Sequence, residues 1–125
     1  MAALFDRIDT FILRVSALDE AIAWYAGRLG LEAAYVDPDE RLAVLPLPQG
    51  PGLTLWELKP GETPAAADAQ GAYPIFATAD AAAAHAELAR RGVDVGELRR
   101  GEGVVFFQFR DADGNRLEAC QALEG

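Results

Sequence analysis

Apolar and polar residues alternate along this chain in short runs, and the runs repeat in the same order twice. Ile8–Val15 places Phe11, Leu13 and Val15 on one side and Ile8, Thr10, Ile12 and Arg14 on the other. That period of two predicts a strand with one wholly apolar face and one mixed face. The spacing then lengthens: Leu18, Ile22, Tyr25 and Leu29 recur at helical intervals until Gly30, with Ser16 or Asp19 as the expected N-cap. Trp24 and Tyr25 fall in this helix and read as core side chains. Three strand-like segments follow, Glu32–Val36, Arg41–Leu47 and Leu53–Lys59, broken by turn residues at Asp37–Glu40 and Gln49–Gly52. The last segment puts Leu53, Leu55 and Glu57 on one face and Thr54, Trp56 and Leu58 on the other. Pro46 suits an edge or a strand end.

Pro60–Gly71, rich in Pro, Ala, Gly and acidic residues, reads as a linker. The order then restarts. Tyr73–Thr78 is a strand, Asp80 caps an alanine-rich helix over Ala81–Arg91, and Gly92 ends it. Val93–Leu98 is a strand, Arg99–Gly103 a turn, and Val104–Phe109 a strand that is apolar at nearly every position. Asp111–Asn115 (DADGN) closes a hairpin onto Arg116–Cys120, because Gly and Asn accept positive φ and Asp bonds nearby amides. Both halves therefore read β-α-β-β-β, an internal duplication with module 1 at about residues 6–59 and module 2 at about 72–122. Ile12 and Ile75 match at an offset of about 63, and Glu57 and Glu118 at about 61, which pairs Thr10 with Tyr73.

Composition narrows the function. The chain has 125 residues, 51% of them hydrophobic, enough for a substantial core. Its net charge of −9 repels phosphate backbones and anionic membranes, so neither a nucleic-acid nor a membrane partner is expected. No apolar run approaches the roughly 20 residues needed to span a bilayer, and the N-terminus lacks a signal-peptide pattern. The single cysteine, Cys120, forms no internal disulfide, which fits a cytoplasmic location.

Phe11–Glu32 (FILRVSALDEAIAWYAGRLGLE), Pro74–Asp94 (PIFATADAAAAHAELARRGVD) and Phe109–Cys120 (FRDADGNRLEAC) together resemble the vicinal oxygen chelate superfamily. That superfamily includes glyoxalases, extradiol dioxygenases, fosfomycin-resistance enzymes and bleomycin-binding proteins. The resemblance implies a single α+β domain over residues 1–125, in which tandem β-α-β-β-β modules form a cupped mixed sheet with helices outside. It also implies a homodimer. In metal-dependent members the ligands stand on the first and last strands of each module, and the first-strand ligands are usually His. The matching positions here are Thr10, Glu57, Tyr73 and Glu118. With both imidazole positions replaced, no metal and no other cofactor is expected.

Other candidate chemistry recedes on spacing. His85 lies mid-helix, away from the first strand, and reads as a surface or partly packed residue. Cys120 has no second thiol and reads as a packing residue. DADGN lacks the sixth-position Gly and twelfth-position Glu of a calcium loop, and Gly101-Glu-Gly103 is too short to cradle a phosphate. Strand parity then points Thr10, Ile12, Arg14, Leu55, Glu57, Tyr73, Ile75, Arg116 and Glu118 toward one concave side. Apolar walls with a few convergent polar groups make a small-molecule pocket. The first expectation is metal-independent binding of an apolar or cationic molecule. The second is a superfamily enzyme, a lyase, isomerase or dioxygenase, using Glu57 or Glu118 as base or residual metal ligand. The third is an interaction module with an unused cavity.

Overall fold

The computed structural model describes residues 2–64 and 71–124. The chain divides into two compact units, Met1–Pro64 and Ala65–Gly125. The middle of the expected linker, 65–70, lies outside the described residues.

The first unit runs β1 (Thr10–Val15), α1 (Leu18–Trp24), β2 (Tyr35–Asp37), β3 (Leu42–Leu45) and β4 (Gly52–Glu57). Its sheet order is β1-β4-β3-β2, with β1 parallel to β4 and the remaining pairs antiparallel. The last turn of the first helix, Tyr25–Leu29, widens into a π-helix and stops at Gly30, whose φ of 71° is left-handed. Leu13, Val15, Leu53 and Leu55 are buried on the face that α1 covers, and Leu18 and Ala21 of α1 are buried too, as is Tyr25 in the following turn.

The second unit runs β5 (Ile75–Ala77), α2 (Ala81–Arg90), β6 (Asp94–Val95), β7 (Arg99–Gly101), β8 (Val104–Arg110) and β9 (Arg116–Ala122). Its sheet order is β5-β9-β8-β6, with β7 also pairing β8. Again the first strand is parallel to the last. Val105, Phe107, Phe109, Leu117 and Ala119 form the buried face. His85 packs edge-on against Phe107 at 4.9 Å between centroids, and its Nε2 lies 2.7 Å from the Gly96 carbonyl. The expected turn at Arg99–Gly103 contains a short strand instead, because Arg99–Gly101 continues the β8 ladder.

Each unit is thus an α+β module; the first has the β-α-β-β-β order expected from the sequence, and the second has that order with one short strand, β7, added. None of the described helices is long and apolar enough to cross a membrane.

The two registers fix the duplication more firmly than residue identity does. Ile12 stands opposite Thr54, and Ile75 opposite Glu118. Thr54, not Glu57, is therefore the counterpart of Glu118, at an offset of 64 where β1 and β5 differ by 63. The counterpart of Glu57 is Gln121. Both side chains do the same work: Glu57 Oε2 accepts the Leu18 amide at 2.8 Å, and Gln121 Oε1 accepts the Ala81 amide at 2.9 Å. Leu18 and Ala81 are the first residues of the two helices, whose N–H groups have no intrahelical partner. The expected caps Ser16 and Asp19 do not cap α1; its N-cap position is Ala17, without a side-chain cap bond. Asp80 does cap α2, accepting from the Ala83 amide at 3.0 Å.

Candidate functional site

On β1 and β4, Thr10, Ile12 and Arg14 share a face with Gly52, Thr54 and Trp56, their Cα partners. Leu55 and Glu57, expected on that face, stand on the other one. Leu55 is fully buried beside Leu13, and Glu57 reaches α1. The reason is register: β4 begins at Gly52, which sets Thr54 rather than Leu55 opposite Ile12.

Glu57 is committed to structure. Besides the Leu18 amide it accepts Arg41 Nε at 3.2 Å on Oε1 and an Arg41 terminal nitrogen at 3.0 Å on Oε2. The Arg41 bonds, followed by the Leu18 amide, hold its carboxyl below the usual carboxylate range. Arg41 itself carries a left-handed φ of 58°, a conformation few non-glycine residues adopt. The two side chains lock the turn before β3 to the start of α1.

The open face of the first unit is internally satisfied. Thr10 and Thr54 share a hydrogen bond of 2.7 Å between their hydroxyls, and Thr10 also donates to the Gly52 carbonyl at 3.3 Å. The Arg14 guanidinium lies over the Trp56 ring at 4.5 Å and pairs with Glu62 at 2.6 Å. Lys59 approaches the same ring at 5.0 Å. Ile12 remains 48% exposed.

The open face of the second unit differs. Parity and contact gather Tyr73, Ile75, Arg116 and Glu118 there, as expected. The antiparallel ladder adds Phe106 opposite Cys120, Gln108 opposite Glu118, and Arg110 opposite Arg116. Glu118 is only 7% exposed, and among the described residues its one side-chain partner is Gln108 Nε2 at 3.5 Å, the limit of a hydrogen bond. Beside it Gly96, Glu97, Arg99, Phe106 and Gln108 line a cleft of about 310 Å³. Gln108 belongs to both, so it joins the buried carboxylate to the cleft. The Arg116 guanidinium covers the Tyr73 ring at 5.1 Å, and its Nε is buried without a hydrogen-bond partner among the described residues.

Phe106, Gln108 and Arg110 were not anticipated. The signal was present, since residues two apart on β8 share a face, and the DADGN turn sets Arg110 against Arg116. That turn is built on Asp111, whose Oδ1 accepts the Asp113 and Asn115 amides, each at 2.9 Å.

The donor chemistry does not suit a metal in either unit. At the relevant positions the first offers two hydroxyls already bonded to each other, and the second a phenol stacked on Arg116 and a single carboxylate. Tight divalent sites draw on several imidazole, thiolate or carboxylate donors. Among the described residues no three His, Cys, Asp or Glu side chains gather.

The family model described as Glyoxalase/Bleomycin resistance protein/Dioxygenase superfamily matches residues 7–119. Among solved structures, the chain is similar to TnmS3, an antibiotic binding protein from Streptomyces sp. CB03234. Their identity is 23% over 97% of this chain and 99% of that one, with a TM-score of 0.79. A putative glyoxalase family protein from Bacillus anthracis gives 20% identity over 98% and 99%, with a TM-score of 0.79. A glyoxylase/bleomycin resistance protein/dioxygenase domain from Frankia sp. EAN1pec gives 24% over 98% and 96%, with a TM-score of 0.77. No curated protein matches the chain.

Proposed function

The chain belongs to the glyoxalase/bleomycin resistance/dioxygenase superfamily, and from that premise we propose that it binds a small organic molecule in the second unit without a metal. One observation carries this reading: the cleft of about 310 Å³ walled by Phe106 and Gln108, opening beside the under-bonded Glu118. Its volume lies at the small end of ligand pockets, and an aromatic wall with a few polar groups is their usual lining. The antibiotic-binding neighbour supports a sequestering role of the same general kind.

Of the expected preference for a cation, capture on the Trp56 and Tyr73 rings loses support. Aromatic capture of a cation needs a free ring face, whereas Trp56 is approached by Arg14 and Lys59, and Tyr73 is covered by Arg116. Glu118 alone supports the enzymatic alternative, as a buried carboxylate not consumed by an ion pair; Glu57 is withdrawn from it, being occupied at the helix start.

Calorimetric titration with a panel of mono- and bicyclic aromatic compounds tests the binding reading. A ligand whose affinity falls at least tenfold in Phe106→Ala and is unchanged by chelator treatment is expected. Affinity that vanishes with chelator and returns with zinc, manganese or nickel sinks the metal-free reading. Saturating ligand should raise Tm, since it binds only the folded chain.

A further inference from the structure

The second unit holds a charge arrangement that the fold itself does not require. Arg110 and Arg116 are direct cross-strand partners on the open face. Like charges in that position destabilise a sheet. The chain carries 20 acidic residues, yet neither arginine has a carboxylate within 4.0 Å among the described residues. Asp94, the Cα partner of Arg110 on β6, makes no ion pair with it. Among the described residues, the Arg110 side chain bonds only the Gly114 carbonyl, from a terminal nitrogen at 3.4 Å. Independently, Arg116 Nε is buried with no acceptor among the described residues, a costly state for a charged donor.

The row beside this pair is Gln108 and Glu118, and the next is Phe106 and Cys120. Two residues along a strand span about 7 Å and four about 13 Å. A ligand held at the arginines therefore meets Gln108 at the first distance and the aromatic wall of the cleft at the second. The duplicated position confirms that the pair belongs to this unit alone. The counterparts of Arg110 and Arg116 are Pro46 and Gly52, and a Cβ at Gly52 would stand 2.6 Å from the Leu45 carbonyl oxygen.

We infer that Arg110 and Arg116 are the head-group subsite for a bicyclic aromatic carboxylate whose ring system lies over Gln108 into the cleft at Phe106. Guanidinium groups match carboxylates through paired N–H donors. The length of the face selects against acetate-sized acids, and the net charge of −9 selects against polyanions. This inference rests on the second-unit cleft being the binding site.

The test is calorimetric titration of the full chain with 2-naphthoate, 2-naphthamide and inorganic phosphate. The expected results are at least tenfold tighter binding of the acid than of the amide, and a tenfold or greater loss for the acid alone in Arg110→Gln. Asp94→Asn, which removes a negative charge from the strand beside Arg110, should tighten the acid. Arg116→Lys, which retains charge but not the paired donors, should weaken it, and circular dichroism checks that each variant folds. Equal binding of acid and amide, or an Arg110→Gln variant that binds the acid as wild type does, overturns the anionic subsite and leaves the cleft reading standing. Phosphate that binds while naphthoate does not overturns the aromatic class. If neither naphthalene compound binds, the cleft reading and this inference fall together.

Discussion

The two units are the same scaffold used differently. Both place their first strand parallel to their last, and both tie the helix start to that last strand through a side-chain oxygen, Glu57 in one and Gln121 in the other. Their buried faces are exchanged in kind: Ala43 stands opposite Leu55 in the first unit, and Phe107 opposite Ala119 in the second. The large side chain has moved across the strand pair. Their open faces have diverged. In the first unit the hydroxyls of Thr10 and Thr54 satisfy each other and Arg14 is paired with Glu62. In the second unit the same rows hold a buried carboxylate, two arginines that make no ion pair among the described residues, and a cleft. The positions that hold helix to sheet have kept their task, while those facing outward have been free to acquire another.

The largest expected effects test the exchange of volume. Phe107→Ala should destabilise the chain by about 3–5 kcal/mol and Leu55→Ala by about 2–5 kcal/mol, measured by urea unfolding. Both side chains are fully buried, so each truncation leaves a cavity. If the exchange is real, adding Ala43→Leu to Leu55→Ala should recover part of the loss, and no recovery would break the equivalence.

Gly52→Ala comes next, because its Cβ would meet the Leu45 carbonyl oxygen at 2.6 Å and Pro46 Cα at 3.0 Å, both backbone atoms. A cost of about 1–3 kcal/mol is expected from such overpacking. The corresponding change in the second unit, Arg116→Ala, brings no such clash. If Gly52→Ala proves neutral by urea unfolding, the first unit is not barred from carrying a side chain there.

The helix-start contacts separate the units by charge. Glu57→Gln should lower Tm by several degrees at neutral pH, and Gln121→Ala by less, because α2 keeps its own cap at Asp80 whereas α1 has none. The folded-state carboxyl of Glu57 lies below its usual value of 4.5. Its stabilisation is therefore complete above about that value and is lost as pH falls through the depressed folded value. Melting curves from pH 7 to pH 3 should show the gap between wild type and Glu57→Gln closing in the acid range. A gap that stays constant would mean the Arg41 and Leu18 bonds do not depend on the charge.

This contrast also explains what could be read beforehand. Both helices, the duplicated order and the closing hairpin were legible, because apolar periodicity, Gly30, Gly92 and the DADGN turn each act locally. The face of each strand was harder. Thr10, Ile12 and Arg14 were placed together correctly, as were Ile75, Arg116 and Glu118, since each set lies within one strand or one pairing. Leu55 and Glu57 were not, because an alternating strand does not reveal which face meets its neighbour. Pairing two glutamates by identity shifted the register, whereas the structure pairs Glu118 with a threonine. The sign of the open face was hidden for a related reason. Arg110 gains its meaning only when the hairpin sets it against Arg116.

The smallest expected effect asks whether the divergence of the open faces is functional. Thr54→Val removes one hydroxyl of the 2.7 Å pair but leaves Thr10 its bond to the Gly52 carbonyl. The expected cost is about 1 kcal/mol. Glu118→Gln keeps the shape of its side chain and alters only the 3.5 Å contact with Gln108. Its unfolding free energy should stay within about 1 kcal/mol of wild type, while the affinity for an aromatic ligand in the cleft changes measurably. Together the two variants separate roles that sequence position alone makes equivalent. Thr54 is then a structural residue on a closed face, and Glu118 one that the fold tolerates rather than needs. A Glu118→Gln chain that loses stability as a core variant does, with binding unchanged, would reverse that assignment and place the carboxylate among the groups that hold the second unit together.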